Sequence, residues 1–298
     1  MNHFFKKQFS KHFLLLLIVV FLFSCNSKKS NIDKQTDTDE GSFLIKDTLN
    51  NEFYLFPSPT EVLSYINEAN LKYIPNLVNN VNNFPKYLTL PDKSLNIGVY
   101  IADLMYLSFF KTDENSFKLI ETIKKLIEEI KIDEALPINI FENISRNINN
   151  PDTLINISAN MFSKIYNYLI SQNRKNTFSA ITIGGYIECY YLGIMMIDTF
   201  NINNILIKKL AEQKIVFENL YEYIKNTDNL EFLVDLNQYL IEIKDLFSKF
   251  NENMNVKPIK KPKEKIEFKT EYSYVINEND FYKFKKAIIN TRNKITMN

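Results

Sequence analysis

Two carboxylic acids stand where acids are costly. Asp103 lies in residues 94–106, Ser-Leu-Asn-Ile-Gly-Val-Tyr-Ile-Ala-Asp-Leu-Met-Tyr, and Glu188 in residues 181–193, Ile-Thr-Ile-Gly-Gly-Tyr-Ile-Glu-Cys-Tyr-Tyr-Leu-Gly. A buried carboxylate must be paired or neutralised. If the two segments are helices packed in parallel through their small residues, both acids lean to one side, because successive helical residues turn by about 100°. Three readings follow. The acids can accept hydrogen bonds from tyrosine, backbone or arginine, with Arg174 one helix length before Glu188. They can line a ligand pocket with Tyr100, Tyr106, Tyr186 and Tyr191. Or one can have a raised pKa and do acid–base work. An amide in place of either acid is expected to leave donors without matched partners.

The rest of the inventory narrows the chemistry. Both histidines, His3 and His12, fall in the first 24 residues, and the chain has no tryptophan. Without histidine beyond that point there is no Ser-His-Asp catalysis in its usual form and no His-ligated zinc. Cys189 is expected to be a buried, inert thiol. No glycine-rich phosphate loop occurs. The expectation is no catalytic residue, no metal and no cofactor. No basic field for nucleic acid exists either, since the net charge is +1 and falls to −2 when Lys6, Lys7 and Lys11 are removed with the leader.

The two acid-bearing segments echo each other. Ile-Gly-Val-Tyr-Ile at 97–101 and Ile-Gly-Gly-Tyr-Ile at 183–187 differ at one position, and four of the chain's five glycines, Gly98, Gly184, Gly185 and Gly193, lie here. A helix-interior glycine costs roughly 0.5–1 kcal/mol against alanine, so close packing should offset it. Ser94, Gly98 and Ala102, and likewise Gly185, Cys189 and Gly193, are spaced by four. A Pro-started helix at Pro59 and at Pro151 precedes each segment, so a duplicated helical unit is one open reading.

Residues 1–24 read as a leader: three lysines, then an unbroken apolar run at 13–23 that is short for a membrane span. Leu22-Phe23-Ser24-Cys25 resembles the lipobox of bacterial lipoproteins. That resemblance implies an acylated Cys25 as first mature residue, with an ordinary cleaved leader as the alternative. Cys25-Asn26 lacks the aspartate that in some bacteria retains lipoproteins at the inner membrane, so an outer-membrane anchor facing the periplasm is expected. Residues 25–41 read as a polar tether, 42–256 as a helical domain, 257–265 as a Lys/Pro linker and 266–298 as a strand and helix packed on that domain. Residues 43–56 are a mixed stretch with a turn at Asn50-Asn51. One amphipathic helix is expected over 201–225. The fold class is all-α, packed helical hairpins with room for one small antiparallel strand pair.

Phe56-Pro57-Ser58-Pro59, the 95–106 segment with Gly98, Tyr100, Asp103 and Tyr106, and Gly184-Gly185 with Glu188 and Tyr191 together resemble an uncharacterised family of helical lipoproteins of Gram-negative bacteria. The resemblance spans about residues 55–295. Ile101 stands where a small residue is expected and Tyr186 where tryptophan is. It implies fold and localisation, and no activity. The expected function is a non-enzymatic binding or scaffold module for an envelope protein, with a small-ligand binder or hydrolase using Asp103 and Glu188 as the alternative.

Overall fold

The computed structural model describes residues 42–47, 52–57, 71–112, 115–226, 233–259 and 267–297, all within one unit spanning Thr36–Asn298. The leader, Cys25, the tether and the proline start at Pro59 lie outside the described residues. In chain order the elements are β1 (Ser42–Asp47), β2 (Glu52–Pro57), α1 (Leu90–Phe109), α2 (Ser116–Glu129), α3 (Ile140–Arg146), α4 (Pro151–Ser171), α5 (Lys175–Met195), α6 (Ile205–Glu212), α7 (Lys214–Asn226), α8 (Val234–Phe247), β3 (Asn251–Ile259), β4 (Glu267–Val275) and α9 (Glu278–Thr296). The fold is all-α with two antiparallel ribbons, β1–β2 and β3–β4. The second ribbon corrects the linker reading. Lys257, Pro258 and Ile259 are strand residues opposite Lys269, Phe268 and Glu267, and a strand carrying a proline suits an edge.

The centre is the pair α1 and α5, both buried on nearly every side. They run parallel: Leu95 lies beside Gly184, Gly98 beside Gly185, and Asp103 beside Glu188. Glycine permits this approach. A Cβ on Gly98 would sit 2.0 Å from the Ile181 carbonyl oxygen, and one on Gly184 would sit 1.9 Å from that of Leu95. On Gly185 the nearest atom would be 3.4 Å away, so the tight contact uses Gly98 and Gly184 rather than a stripe through Gly193. Helices α2 and α4 cover one side of the pair, with α3 against α2. Helices α6, α7 and α9 cover the other, with α8 against α7 and α9. Strand β2 lies along α7 and β4 along α6. No described helix is long and apolar enough to cross a membrane.

Helix starts follow side-chain capping. Thr89 accepts from the Asp92 N–H while Asp92 accepts from the Thr89 N–H, a reciprocal box with Pro91 in the first turn. Asn150 caps α4 ahead of Pro151, Asn204 caps α6 and Asn277 caps α9. Helix ends lack glycine. Lys111, Lys131 and Asn173 instead take positive φ, at 51°, 57° and 55°. Each is followed by a bond closing the last turn: Thr112 N–H to Leu107 O, Ile132 N–H to Ile127 O, and Arg174 N–H to Leu169 O.

The expected single helix over 201–225 is two, broken at Gln213. Tyr190 and Tyr186 of α5 bond to the backbone at this break. Their hydroxyls donate to the Leu210 and Gln213 carbonyls, supplying bonds to backbone oxygens where the helix is interrupted.

Two substitutions test these statements by denaturant unfolding. Gly98→Ala and Gly184→Ala each lower stability by more than about 2 kcal/mol, since the added methyl meets backbone that side-chain rotation cannot relieve, whereas Gly185→Ala stays within about 1 kcal/mol. Equal effects at all three positions would contradict the close approach. Exposed Lys111→Gly raises stability by about 1 kcal/mol, because a left-handed lysine costs roughly 1–2 kcal/mol that glycine does not incur; a decrease would show that the lysine side chain outweighs its backbone.

Candidate functional site

The faces of α1 and α5 divide the core into a polar seam and an apolar crevice. Asn96, Tyr100 and Asp103 lie at i, i+4 and i+7 on α1, one face of a helix. Glu188 and Tyr191 lie at i and i+3 on α5. Helix α9 adds Arg292, and the segment before α1 adds Asn79, Asn83 and Tyr87.

Asp103 and Glu188 are both without exposure and are hydrogen-bonded side chain to side chain. Arg292 makes a forked ion pair with Glu188, Nε to Oε2 at 3.1 Å and Nη2 to Oε1 at 3.3 Å. Its guanidinium carbon lies 4.6 Å from the centre of the Tyr191 ring, a favourable cation–π position. Asp103 Oδ2 accepts from the Asn79 N–H at 3.0 Å. The seam continues outward. Asn79 donates to Tyr87 Oη at 2.9 Å and accepts from Asn83 at 2.9 Å, and Asn96 donates to the Ile295 carbonyl of α9 at 3.0 Å.

Charge fixes where the proton sits. Two carboxylates and one guanidinium cannot all be charged in a dry site without an excess negative charge. Burial, then the charge of Glu188, pushes the Asp103 carboxyl well above its ordinary value near 3.8, against the pull of Arg292 and the Asn79 N–H. Burial also raises Glu188, while Arg292 holds it back. Burial acts to lower Arg292, and Glu188 overrides it, so its pKa is raised. The pair therefore keeps one proton, chiefly on Asp103. That proton also answers the one unmet need of the seam, since Asp103 Oδ1 is buried with no donor aimed at it: an O–H on Asp103 donates to Glu188.

The tyrosines fall into two groups. Tyr191 belongs to the seam through Arg292. Tyr100 donates to the Asn80 carbonyl at 3.0 Å and faces Tyr87 Oη at 3.4 Å, and burial pushes its hydroxyl far up. Tyr106 accepts from Ile74 N–H and donates to Ile74 O, at 2.9 and 3.2 Å, with its pKa pushed up to about 12 by burial. Tyr186 points away, to Gln213. Arg174 is also elsewhere. It donates to the carbonyls of Ile130 and Lys131 and closes the end of α2. Arg292, in the last helix, is the residue that the sequence reading missed. With three arginines in the chain, nearness in sequence favoured Arg174, and the position of α9 has no signal of its own there. Among the described residues no cluster of metal-ligating side chains occurs. Cys189 is buried, its thiol raised well above the ordinary value by burial and then by Glu188 and Asp103.

The crevice opens on the other face of the same helices. Gly98, Ile101, Leu104 and Met105 of α1 line it, with Ile181, Thr182, Gly185, Tyr186 and Cys189 of α5. Ile120 and Ile123 of α2, Phe141 and Ile144 of α3, and Leu154, Ser158, Met161, Phe162 and Ile165 of α4 complete the wall. The crevice is small: about 50 Å³ inside it admits the centre of a water-sized sphere. No charged side chain lines it.

Comparison with protein-family models, with curated proteins and with solved structures gives no match.

The proton on Asp103 separates two conservative variants. Glu188→Gln leaves Arg292 buried without its anion and lowers stability by about 3–5 kcal/mol. Asp103→Asn mimics the protonated acid, its carbonyl accepting from Asn79 and its amide donating to Glu188, and lies within about 1.5 kcal/mol of the wild type at pH 4, where the unfolded wild type also holds that proton. A group whose folded pKa is raised stabilises fully below its unfolded value and loses that stability as pH rises through the folded value. The wild type therefore declines relative to Asp103→Asn from about pH 4 upward, by about 1.4 kcal/mol per pH unit, until Asp103 ionises. Urea unfolding of both proteins from pH 4 to 8 measures this; parallel curves would place the proton elsewhere.

Proposed function

We propose that this chain is a lipid-anchored protein of the bacterial cell envelope, facing the periplasm from the outer membrane, that works by non-covalent binding rather than catalysis. The supporting observation is the division of its core. The acids with the chemistry for catalysis are sealed and committed to Arg292 and Asn79, so a substrate has no path to them. The surface that the same helices leave open is apolar. Cys25 after the leader supplies the anchor, with multiple acyl chains giving stable attachment. The resemblance to helical lipoproteins of Gram-negative bacteria agrees with this placement and adds no activity. The partner is an envelope protein or a small apolar ligand.

Two measurements test the reading in cells of the producing bacterium. A clickable palmitate analogue labels the wild type and not Cys25→Ser; equal labelling of the two would remove the anchor. Crosslinking of intact cells, followed by purification of the protein, yields the same envelope partner or lipid in repeated preparations. If the only product is uncrosslinked chain, the binding role fails.

A further inference from the structure

We infer that the cleft between the start of α1, the start of α8 and the end of α9 binds a carbohydrate chain. It is lined by other residues than the apolar crevice and does not depend on how that crevice is read. The cleft holds about 840 Å³, inside the range of about 300–1,000 Å³ usual for small-ligand sites. Its floor is apolar, with Leu95, Leu236 and Ile295 buried there. Its walls carry polar side chains with bonding capacity to spare. Tyr239, Asn290 and Asn293 line it, and their side chains have no hydrogen-bond partner among the described residues. Asp235 Oδ2 and Lys294 Nζ, also in the lining, are 3.9 Å apart, too far for a hydrogen bond.

The lining sets the chemistry of the guest. Each asparagine amide offers a donor and an acceptor side by side, Asp235 only accepts and Lys294 only donates. Neighbouring hydroxyls on a ring, each both donor and acceptor, satisfy all of them. Val234 and Met297, 68% and 39% exposed, line the same cleft with the Tyr239 ring and offer apolar surface to the C–H face of a sugar. A phosphate or other anion meets two acids, Asp92 and Asp235, against one lysine. A wholly apolar guest would strip water from the polar walls without replacing its bonds. A guest polar at its edges and apolar on its faces suits both parts. Two walls are also set in advance. Arg292 on Glu188 and Asn96 on the Ile295 carbonyl hold α9 from behind, and the Thr89–Asp92 box fixes the start of α1. A preformed wall lowers the ordering cost of binding.

The test titrates the full acylated chain in lipid nanodiscs by calorimetry. The probes are the tetrasaccharides of α-linked glucose, β-linked glucose, galactose, mannose and N-acetylglucosamine, with tetraalanine and inorganic phosphate as rivals. We expect one saturable equivalent per chain for at least one tetrasaccharide. Asp235→Ala and Asn293→Ala each weaken it about tenfold, the loss of one or two hydrogen bonds, while Lys286→Ala, an exposed position on α9 outside the cleft, leaves it unchanged. No saturable binding of any tetrasaccharide overturns the inference. Equal binding by both cleft variants does so too, as does tighter binding of the peptide or of phosphate. A chain found to carry no acyl group is titrated in buffer with the same expectation, so the anchor and the cleft fail separately.

Discussion

Everything in the core follows from holding two carboxylates against one guanidinium in a place that water does not reach. Asp103 and Glu188 come from the two central helices and Arg292 from the last one. Separately, each would be an uncompensated buried ionisable group. Together they form a neutral unit once Asp103 keeps its proton, since Glu188 is balanced by Arg292 and Asp103 is neutral. Such a unit adds little net stability over an apolar core of equal volume, but removing one member is expensive. Its effect is therefore on arrangement. Helix α9 cannot slide along the α1–α5 pair without leaving Glu188 unpaired, and the bond from Asn96 to the Ile295 carbonyl fixes the same helix one turn further on.

The seam depends in turn on glycine. Asp103 and Glu188 can share a proton only if the axes of α1 and α5 lie close, and backbone contacts at Gly98 and Gly184 set that distance. An alanine at either position pushes the helices apart at the turns just before the acids. Packing and electrostatics are thus not independent here: the steric contact makes the charge pairing possible, and the charge pairing fixes which rotation of each helix about its axis is used.

Much of this was legible in the residues. An acid within an apolar helix announces that something neutralises it, and a glycine within a helix announces that something lies close. The 3.6-residue period then places Asn96, Tyr100 and Asp103 on one face. What was not legible has physical reasons. The identity of the arginine depends on where α9 docks, a long-range outcome that local pattern does not encode. The break at Gln213 has no glycine or proline to mark it, and the tyrosine hydroxyls that bond to the backbone there come from another helix. Helix ends were blurred because lysine and asparagine occupy the left-handed positions where glycine would have punctuated the sequence. The Lys/Pro stretch reads as a linker by composition, and only its pairing with residues 267–269 makes its first part a strand.

The separation of the two faces of α1 and α5 also decides which part of the core can adjust by small shifts. A crevice is a destabilising feature, since its walls forgo contacts that a filled core would make. Placed between freely packed helices it would close by small shifts of their axes. Here one wall cannot shift. Gly98 and Gly185 belong to both the helix contact and the crevice, and the ion pair behind them fixes the depth at which α1 and α5 meet. Closing the crevice therefore falls to α2, α3 and α4, whose contacts with the central pair are largely apolar side chains and whose adjustment breaks no buried ion pair. The charged seam fixes how α1 and α5 meet, while the helices on the other face pack against them through apolar side chains.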